Sequence, residues 1–236
     1  MRALVLIGGY LTSPNDFASL ATRLEQPPYN FQVYRVPIGR LRWALTRDYD
    51  FRPVLRRIRA SVEQARRETG QERVLLLAHS VAGVAARLYL GDEPYHGEQF
   101  AGKRYVERLV TLGTPHFSAE RWTLKLYNYV NGTYPGAYYD DVQYVSVIGC
   151  TLAGRQRGTA AERMAFNSYR LVGGADKGQE WGDGVASMKS AVLPGAEYLG
   201  VAGLYHSPFH GHPWYADPEG LPIWERALRL HSTIIA

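Results

Sequence analysis

Apolar and polar positions along the chain alternate between two rhythms. Ala3 to Ile7 is a short apolar run that breaks at Gly8-Gly9, which predicts a strand. Thr12-Ser13-Pro14 then opens a helix to about Leu24, with Ser13 as its N-cap and Pro14 at its first helical position. A second strand is expected near Phe31 to Val36. From Pro53 to Glu68 the residues Val54, Leu55, Ile58, Val62 and Ala65 keep helical spacing, arginines fill the other side, and Gly70 supplies the stop. Arg73 to Ala78 is almost continuously apolar, as suits a central strand buried on both faces. It runs directly into His79-Ser80-Val81-Ala82-Gly83 and a helical pattern to about Leu90. Further strands are expected at Val106 to Leu112, Val142 to Ile148 and Tyr198 to Val201, with helices at about Ala160 to Tyr169 and Pro222 to Leu230. Strands alternating with helices predict one α/β domain over residues 1–236, a compact and mostly parallel sheet with helices on both faces.

Two stretches break the rhythm. The segment 116–139 is rich in tyrosine, glycine and asparagine and poorly periodic, and 150–181 is irregular apart from its one helix. Long connections in compact domains are often lids or binding loops, so both are candidate substrate-facing insertions, with ordinary surface loops as the alternative.

Composition narrows the class. At 46% hydrophobic and 21% charged residues the chain is ordinary globular protein, without the bias of a disordered or fibrous one. Cys150 is the only cysteine, so no disulfide forms within the chain and no mark of an oxidising compartment is carried; a small apolar role at a strand end suits it. The N-terminal apolar run is too short for a signal peptide, and no stretch approaches the roughly 20 apolar residues of a membrane span. A soluble, cytoplasmic protein is the expectation. The net charge is +5, nearly all of it from arginine, with many arginines between Arg35 and Arg73. A phosphate- or anionic-lipid-binding surface is one reading, and a solvated helix face the favoured one. The interleaved aromatics that nucleic-acid binding would want are missing.

The chemistry concentrates in four places. Ser80 stands between a buried strand and a helix, the setting of a nucleophile elbow, where positions two before and two after must be small; Ala78 and Ala82 nearly meet that demand. A plain N-cap serine is the competing reading. Gly8-Gly9-Tyr10 ends the first strand. An oxyanion hole needs two converging N–H groups, and those of Tyr10 and Val81 are the candidates. Asp183, flanked by Gly182 and Gly184, sits on a loop from which it can reach a histidine, though Asp-Gly alone is merely a turn signal. His206, in Tyr205-His206-Ser207-Pro208, is the candidate general base, and the order Ser80, Asp183, His206 is that of α/β-hydrolase triads. His206, His210 and His212 together suggest a metal site, but no carboxylate or cysteine has matching spacing. His79 and His116 read as supporting or structural. Neither a metal nor any other cofactor is expected.

With these residues assembled, the chain resembles lipase-like α/β hydrolases, more narrowly those of plants and cyanobacteria and more distantly the GPI inositol-deacylase type. The matching segments are Leu6-Ile7-Gly8-Gly9-Tyr10 with Asp16-Phe17 and Leu20, Ala78 to Gly83, and Leu112-Gly113-Thr114-Pro115-His116. Trp181 to Val185 follows, with Ser190-Ala191 and Leu193 to Ala196, then Gly203 to Pro208 with Pro213-Trp214-Tyr215. The resemblance implies Ser80 as nucleophile, Asp183 as acid, His206 as base, and Tyr10 and Val81 as oxyanion donors. Two departures stand out. Alanines replace the elbow glycines, and Gly-Val-Ala-Ser follows Asp183 where the family tends to have Gly-Val-Val-Pro.

The expected reaction is hydrolysis of a small-molecule or lipid ester through an acyl-enzyme, with amide or thioester substrates open to the same machinery. Peripheral contact with a membrane stays compatible with this reading, and the oligomeric state is open. The rivals are a non-catalytic α/β-hydrolase-fold protein that binds a ligand or partner, and a metal hydrolase at the late histidines.

Overall fold

The structure, a computed structural model, describes residues 1–46 and 50–229. In chain order, β1 (Arg2–Ile7) leads through a short 3-10 turn to α1 (Ala18–Glu25), then β2 (Phe31–Arg35), α2 (Arg40–Leu45), α3 (Arg52–Thr69), β3 (Val74–His79) and α4 (Ala82–Leu90). β4 (Val106–Leu112), α5 (Leu124–Thr133) and β5 (Gln143–Gly149) follow. A small antiparallel pair, β6 (Leu152–Ala153) and β7 (Trp181–Gly182), encloses α6 (Ala160–Gly173). The chain closes through α7 (Met188–Ala191), β8 (Glu197–Val201) and α8 (Leu221–Trp224).

Six strands form one sheet in the order β2-β1-β3-β4-β5-β8, and every neighbouring pair is parallel. The apolar run of β3 lies between β1 and β4, and all six of its residues are buried. Alternate side chains of the central strands feed two cores. Ala3, Val5 and Ile7 of β1 join Leu76 and Ala78 of β3 under α3, α4 and α5. Leu4, Leu6, Leu75 and Leu77 point the other way, onto Phe17, Leu20 and Leu24 of the first helical segment and Leu221 and Trp224 of α8. Both faces are thereby covered, which is why the strands read as continuous apolar runs.

Local signals agree with these elements. The first helical segment begins at Pro14 after Ser13, whose N–H donates to the Asp16 carboxylate at 2.8 Å. α3 buries Val54, Leu55, Ile58, Val62 and Ala65 and stops at Gly70, whose φ of 70° is left-handed. The arginines on its outer side are surface groups: Arg56 and Arg59 share Glu98, each at 2.8 Å. Cys150 directly follows β5. No helix among the described residues is long and apolar enough to cross a membrane.

Three segments differ from expectation. The aperiodic stretch 116–139 contains α5, which buries Leu126, Tyr127 and Val130 although asparagines and Gly132 blur its pattern. α2 is too short for two turns of periodicity to be legible; it holds its place by burying Trp43. The expected final helix is the four-residue α8 followed by a 3-10 turn at Glu225–Leu228. Its expected last residue, Leu230, lies outside the described residues.

Leu76 is fully buried in the central strand. Leu76→Ala is expected to lower the unfolding free energy by about 2–5 kcal/mol, measured by urea denaturation. A loss under about 1 kcal/mol would contradict its place in the core.

Candidate active site

In a parallel sheet every strand points its C-terminal end to one edge, where ligand sites of open α/β sheets lie. Here that edge carries Tyr10 after β1, Ser80 after β3, Gly113 and Thr114 after β4, Gly149 at the end of β5, and His206 after β8. Asp183 follows β7, at the end of the excursion that leaves β5.

Ser80 has φ of 56°, left-handed for a residue with a Cβ. The turn is held by three hydrogen bonds: Ser80 N–H to the Leu112 carbonyl at 2.9 Å, Gly83 N–H to the Ser80 carbonyl at 3.0 Å, and Thr114 Oγ1 to the same carbonyl at 2.7 Å. Ala78 and Ala82 are fully buried within it, so alanines suffice where a G-x-S-x-G elbow has glycines. The position with no room is Gly83, where a Cβ would fall 2.3 Å from Thr114 Oγ1. Gly9 is the other close approach: a Cβ there would lie 2.6 Å from Ser80 Cβ.

The three side chains named from the sequence meet. Ser80 Oγ lies 3.0 Å from His206 Nε2, and His206 Nδ1 lies 2.8 Å from Asp183 Oδ2. An ionised carboxylate only accepts, so Nδ1 carries the proton and the Nε2 lone pair faces the Ser80 hydroxyl, which donates to it. The Asp183 loop is tight. Asp183 Oδ1 accepts from the N–H groups of Val185 at 3.0 Å and Ala186 at 2.8 Å, and the Asp183 carbonyl accepts from His206 N–H at 2.9 Å. The N–H groups of Tyr10 and Val81 make no hydrogen bond among the described residues. The Tyr10 side chain is exposed and leans on Trp43, with ring centroids 6.4 Å apart.

The other late histidines do not join this group. His210 Nδ1 pairs with Ser207 Oγ at 2.8 Å, and His212 Nδ1 with Asp217 at 2.7 Å on the surface. Among the described residues no three His, Cys, Asp or Glu side chains cluster as metal ligands would.

Three further residues complete the surroundings. His79 Nε2 sits 2.9 Å from the His206 carbonyl, which only accepts, so Nε2 holds the proton and donates; the rings lie 4.8 Å apart. Tyr215 is fully buried, and its hydroxyl lies 3.0 Å from Asp183 Oδ2 and 2.7 Å from the Gly149 nitrogen. Thr114 pins the Ser80 carbonyl, as above. Tyr215 and Thr114 lie within segments that carry the family resemblance, but nothing in their spacing marks them out.

Electrostatics follow burial and partners. For Asp183, burial pushes the carboxyl up, but the His206 charge and hydrogen bond and the amides of Val185 and Ala186 together hold it below its ordinary value. Burial, then the neighbouring His206, pushes His79 down to about 3. Burial, then Arg87, pushes His116 well below its ordinary value. Burial also pushes the Tyr215 hydroxyl well up, with Asp183 adding to it, so it remains a donor.

No family model matches the chain, and no curated protein matches it. Solved structures do. A gene product of Listeria innocua is 12% identical, with 99% of this chain and 96% of that chain covered and a TM-score of 0.58. LipS and LipT, lipolytic enzymes derived from a metagenome, give 10% identity, 97% and 92% coverage and a TM-score of 0.57. Esterase 2 of Thermogutta terrifontis gives 11% identity, 97% and 80% coverage and a TM-score of 0.56. The fold is that of the α/β hydrolases. Identities of 10–12% speak to the α/β-hydrolase fold alone, and the chemistry rests on this chain's own side chains.

The buried histidines have a consequence for stability. His79 and His116 take up protons less readily folded than unfolded. Above their ordinary value of 6.5 both are neutral in either state and pH has no effect through them. Below it, the unfolded chain binds protons that the folded chain refuses, so stability falls as pH falls, by up to about 1.4 kcal/mol per pH unit for each. Urea denaturation at pH 7 and pH 5 is expected to show this loss, and His116→Gln to flatten the slope by about one proton. An unchanged slope in that variant would mean that His116 titrates normally in the folded chain.

Proposed function

We propose that this chain is a serine hydrolase of carboxylic esters that works through an acyl-enzyme on Ser80. The single observation that carries the reading is the continuous relay from Ser80 Oγ through His206 to Asp183, at 3.0 and 2.8 Å, with the serine on a strained turn. A plain N-cap serine needs neither a histidine lone pair at its hydroxyl nor a buried carboxylate behind that histidine.

In this mechanism His206 Nε2 takes the Ser80 proton as Oγ attacks the ester carbonyl. The N–H groups of Tyr10 and Val81 stabilise the negative oxygen of the tetrahedral intermediate. Asp183 holds the imidazole in the Nδ1–H tautomer and stabilises its charged form. His206 then protonates the departing alcohol, and water repeats the sequence on the acyl-enzyme, returning Ser80 and the free acid.

The substrate side of the reading has its own support. Tyr10, Leu11, Leu41 and Leu45 are exposed apolar side chains on the segments that follow β1 and β2, which suits an apolar acyl chain. In this reading the insertions 116–139 and 150–181 face the substrate, bringing the exposed Phe117 and Trp122 to the rim. Two structural neighbours are described as an esterase and as lipolytic enzymes, which fits an ester substrate. Neither metal nor cofactor enters the scheme.

Ser80→Ala is expected to reduce p-nitrophenyl ester turnover by roughly 10⁴- to 10⁶-fold and to abolish fluorophosphonate labelling. Equal labelling of variant and wild type would reject Ser80. A chain-length panel of esters, with matched thioesters and amides, assigns the acyl group. Gly9→Ala tests the oxyanion turn, because its methyl group would meet Ser80 Cβ and the His79 carbonyl. A loss of roughly 10²-fold or more in kcat, with the fold intact by circular dichroism, is expected. Wild-type kcat would remove the turn after β1 from the oxyanion hole.

A further inference from the structure

We infer that Tyr215 is a positioning residue that sets the basicity of His206 through Asp183, an inference that rests on the serine-hydrolase reading of the same site. Hydrogen-bond arithmetic carries it. A tyrosine hydroxyl has one proton to give. Gly149 N–H donates to the Tyr215 oxygen at 2.7 Å, which occupies its acceptor side, and Asp183 Oδ2, at 3.0 Å, receives its proton. The direction of this bond is thus fixed by the backbone of β5.

The consequence for Asp183 is that both oxygens are saturated. Oδ1 takes the Val185 and Ala186 amides, and Oδ2 takes the Tyr215 hydroxyl together with His206 Nδ1–H. A carboxylate offers about four acceptor sites, and all are used. Tyr215 and His206 therefore share one oxygen, and the stronger the Tyr215 bond, the less negative charge is left for the imidazolium. The positive end of the hydroxyl dipole also faces the charged ring. Both effects weaken the hold of Asp183 on the charged imidazolium. The backbone makes room for this sharing. Gly113 has φ of 57°, and a Cβ there would fall 2.5 Å from Asp183 Oδ2 and 2.8 Å from Tyr215 Cε2.

Other titratable groups face the pair. The His79 ring of β3 lies tilted against that of His206, His210 lies 6.2 Å away on the same loop, Tyr169 of α6 accepts from Gly184 N–H at 3.1 Å, and Tyr198 of β8 feels the Asp183 charge. The phenols lie too high to titrate in the pH range of a histidine, and burial keeps His79 neutral across most of it.

The test is an NMR titration of the His206 ring, paired with the acid limb of kcat/KM for an ester substrate. In Tyr215→Phe the His206 titration and the acid limb are expected to move together to higher pH, by roughly half a unit or more. That variant also strands the Gly149 N–H, so 3-fluorotyrosine at position 215 supplies the opposite arm. Its more acidic hydroxyl donates more strongly, keeps the ring packing, and is expected to move both readouts to lower pH. Loss of packing alone lowers activity without moving either titration in opposite directions. Titrations that stay put in the fluorotyrosine protein, or shift the same way in both proteins, would overturn the assignment. The NMR arm does not depend on turnover: a Ser80→Ala protein that kept full activity would sink the hydrolase reading while leaving the coupling of Tyr215 to His206 measurable.

Discussion

A carboxylate with no solvent exposure is the constraint around which this site is organised. An unpartnered charge in the interior costs several kcal/mol, so Asp183 has to be surrounded by donors or it would not stay ionised. Its donors come from three places: its own loop, through the Val185 and Ala186 amides; the segment after β8, through His206; and the segment before α8, through Tyr215. Satisfying one charge therefore ties together three stretches of chain that have no regular ladder between them. The catalytic reading and the structural one share this origin, because the geometry that keeps the aspartate ionised is also the one that orients the imidazole.

The sheet supplies what the aspartate cannot. Ser80 is held on its strained turn by the Leu112 carbonyl of the neighbouring strand and by Thr114, so β3 and β4 must be in register before the hydroxyl is presented. The strain of a left-handed serine costs about 1–3 kcal/mol and persists only where the surroundings over-determine it. Here they are the two buried cores on either face of β3 and the close contact of Gly9 from β1. Rigid parallel strands hold the serine, and loops satisfied by a buried charge hold the histidine and the aspartate.

What could be read from the residues follows the strength of local signals. β3 announces itself because burial on both faces demands an unbroken apolar run, and α3 because one face is buried from Val54 to Ala65 and the helix is ended by Gly70. The three side chains that meet, Ser80, Asp183 and His206, stand out in the sequence because each sits at a sharp change of pattern: strand to helix, glycine-flanked aspartate, histidine after a late strand. α5 does not, because tyrosines and asparagines serve a partly buried helix as well as a loop, and its place is decided by tertiary contacts such as Asn131 to the His116 carbonyl. Tyr215 lies in a segment that carries the resemblance, but no period or spacing marks its role. Its role exists only after Gly149 and Asp183, distant in sequence, have been brought to either side of its hydroxyl. Single hydrogen bonds between remote segments leave no period or spacing behind them.

The neighbourhood of His206 shows why a second buried histidine does no electrical harm there. His79 lies with its ring 4.8 Å from that of His206, and two imidazolium ions at that distance would repel strongly in a dry site. Burial resolves the conflict by keeping His79 neutral, and its Nδ1, which has no hydrogen-bond partner among the described residues, is a buried lone pair. The residue is thus a rigid polar strut whose N–H reaches the His206 backbone. Placed directly before Ser80, it links the serine's strand to the loop that carries His206. The side chain that precedes the proposed nucleophile therefore acts on the same histidine as the nucleophile itself, one through the backbone and the other through the ring.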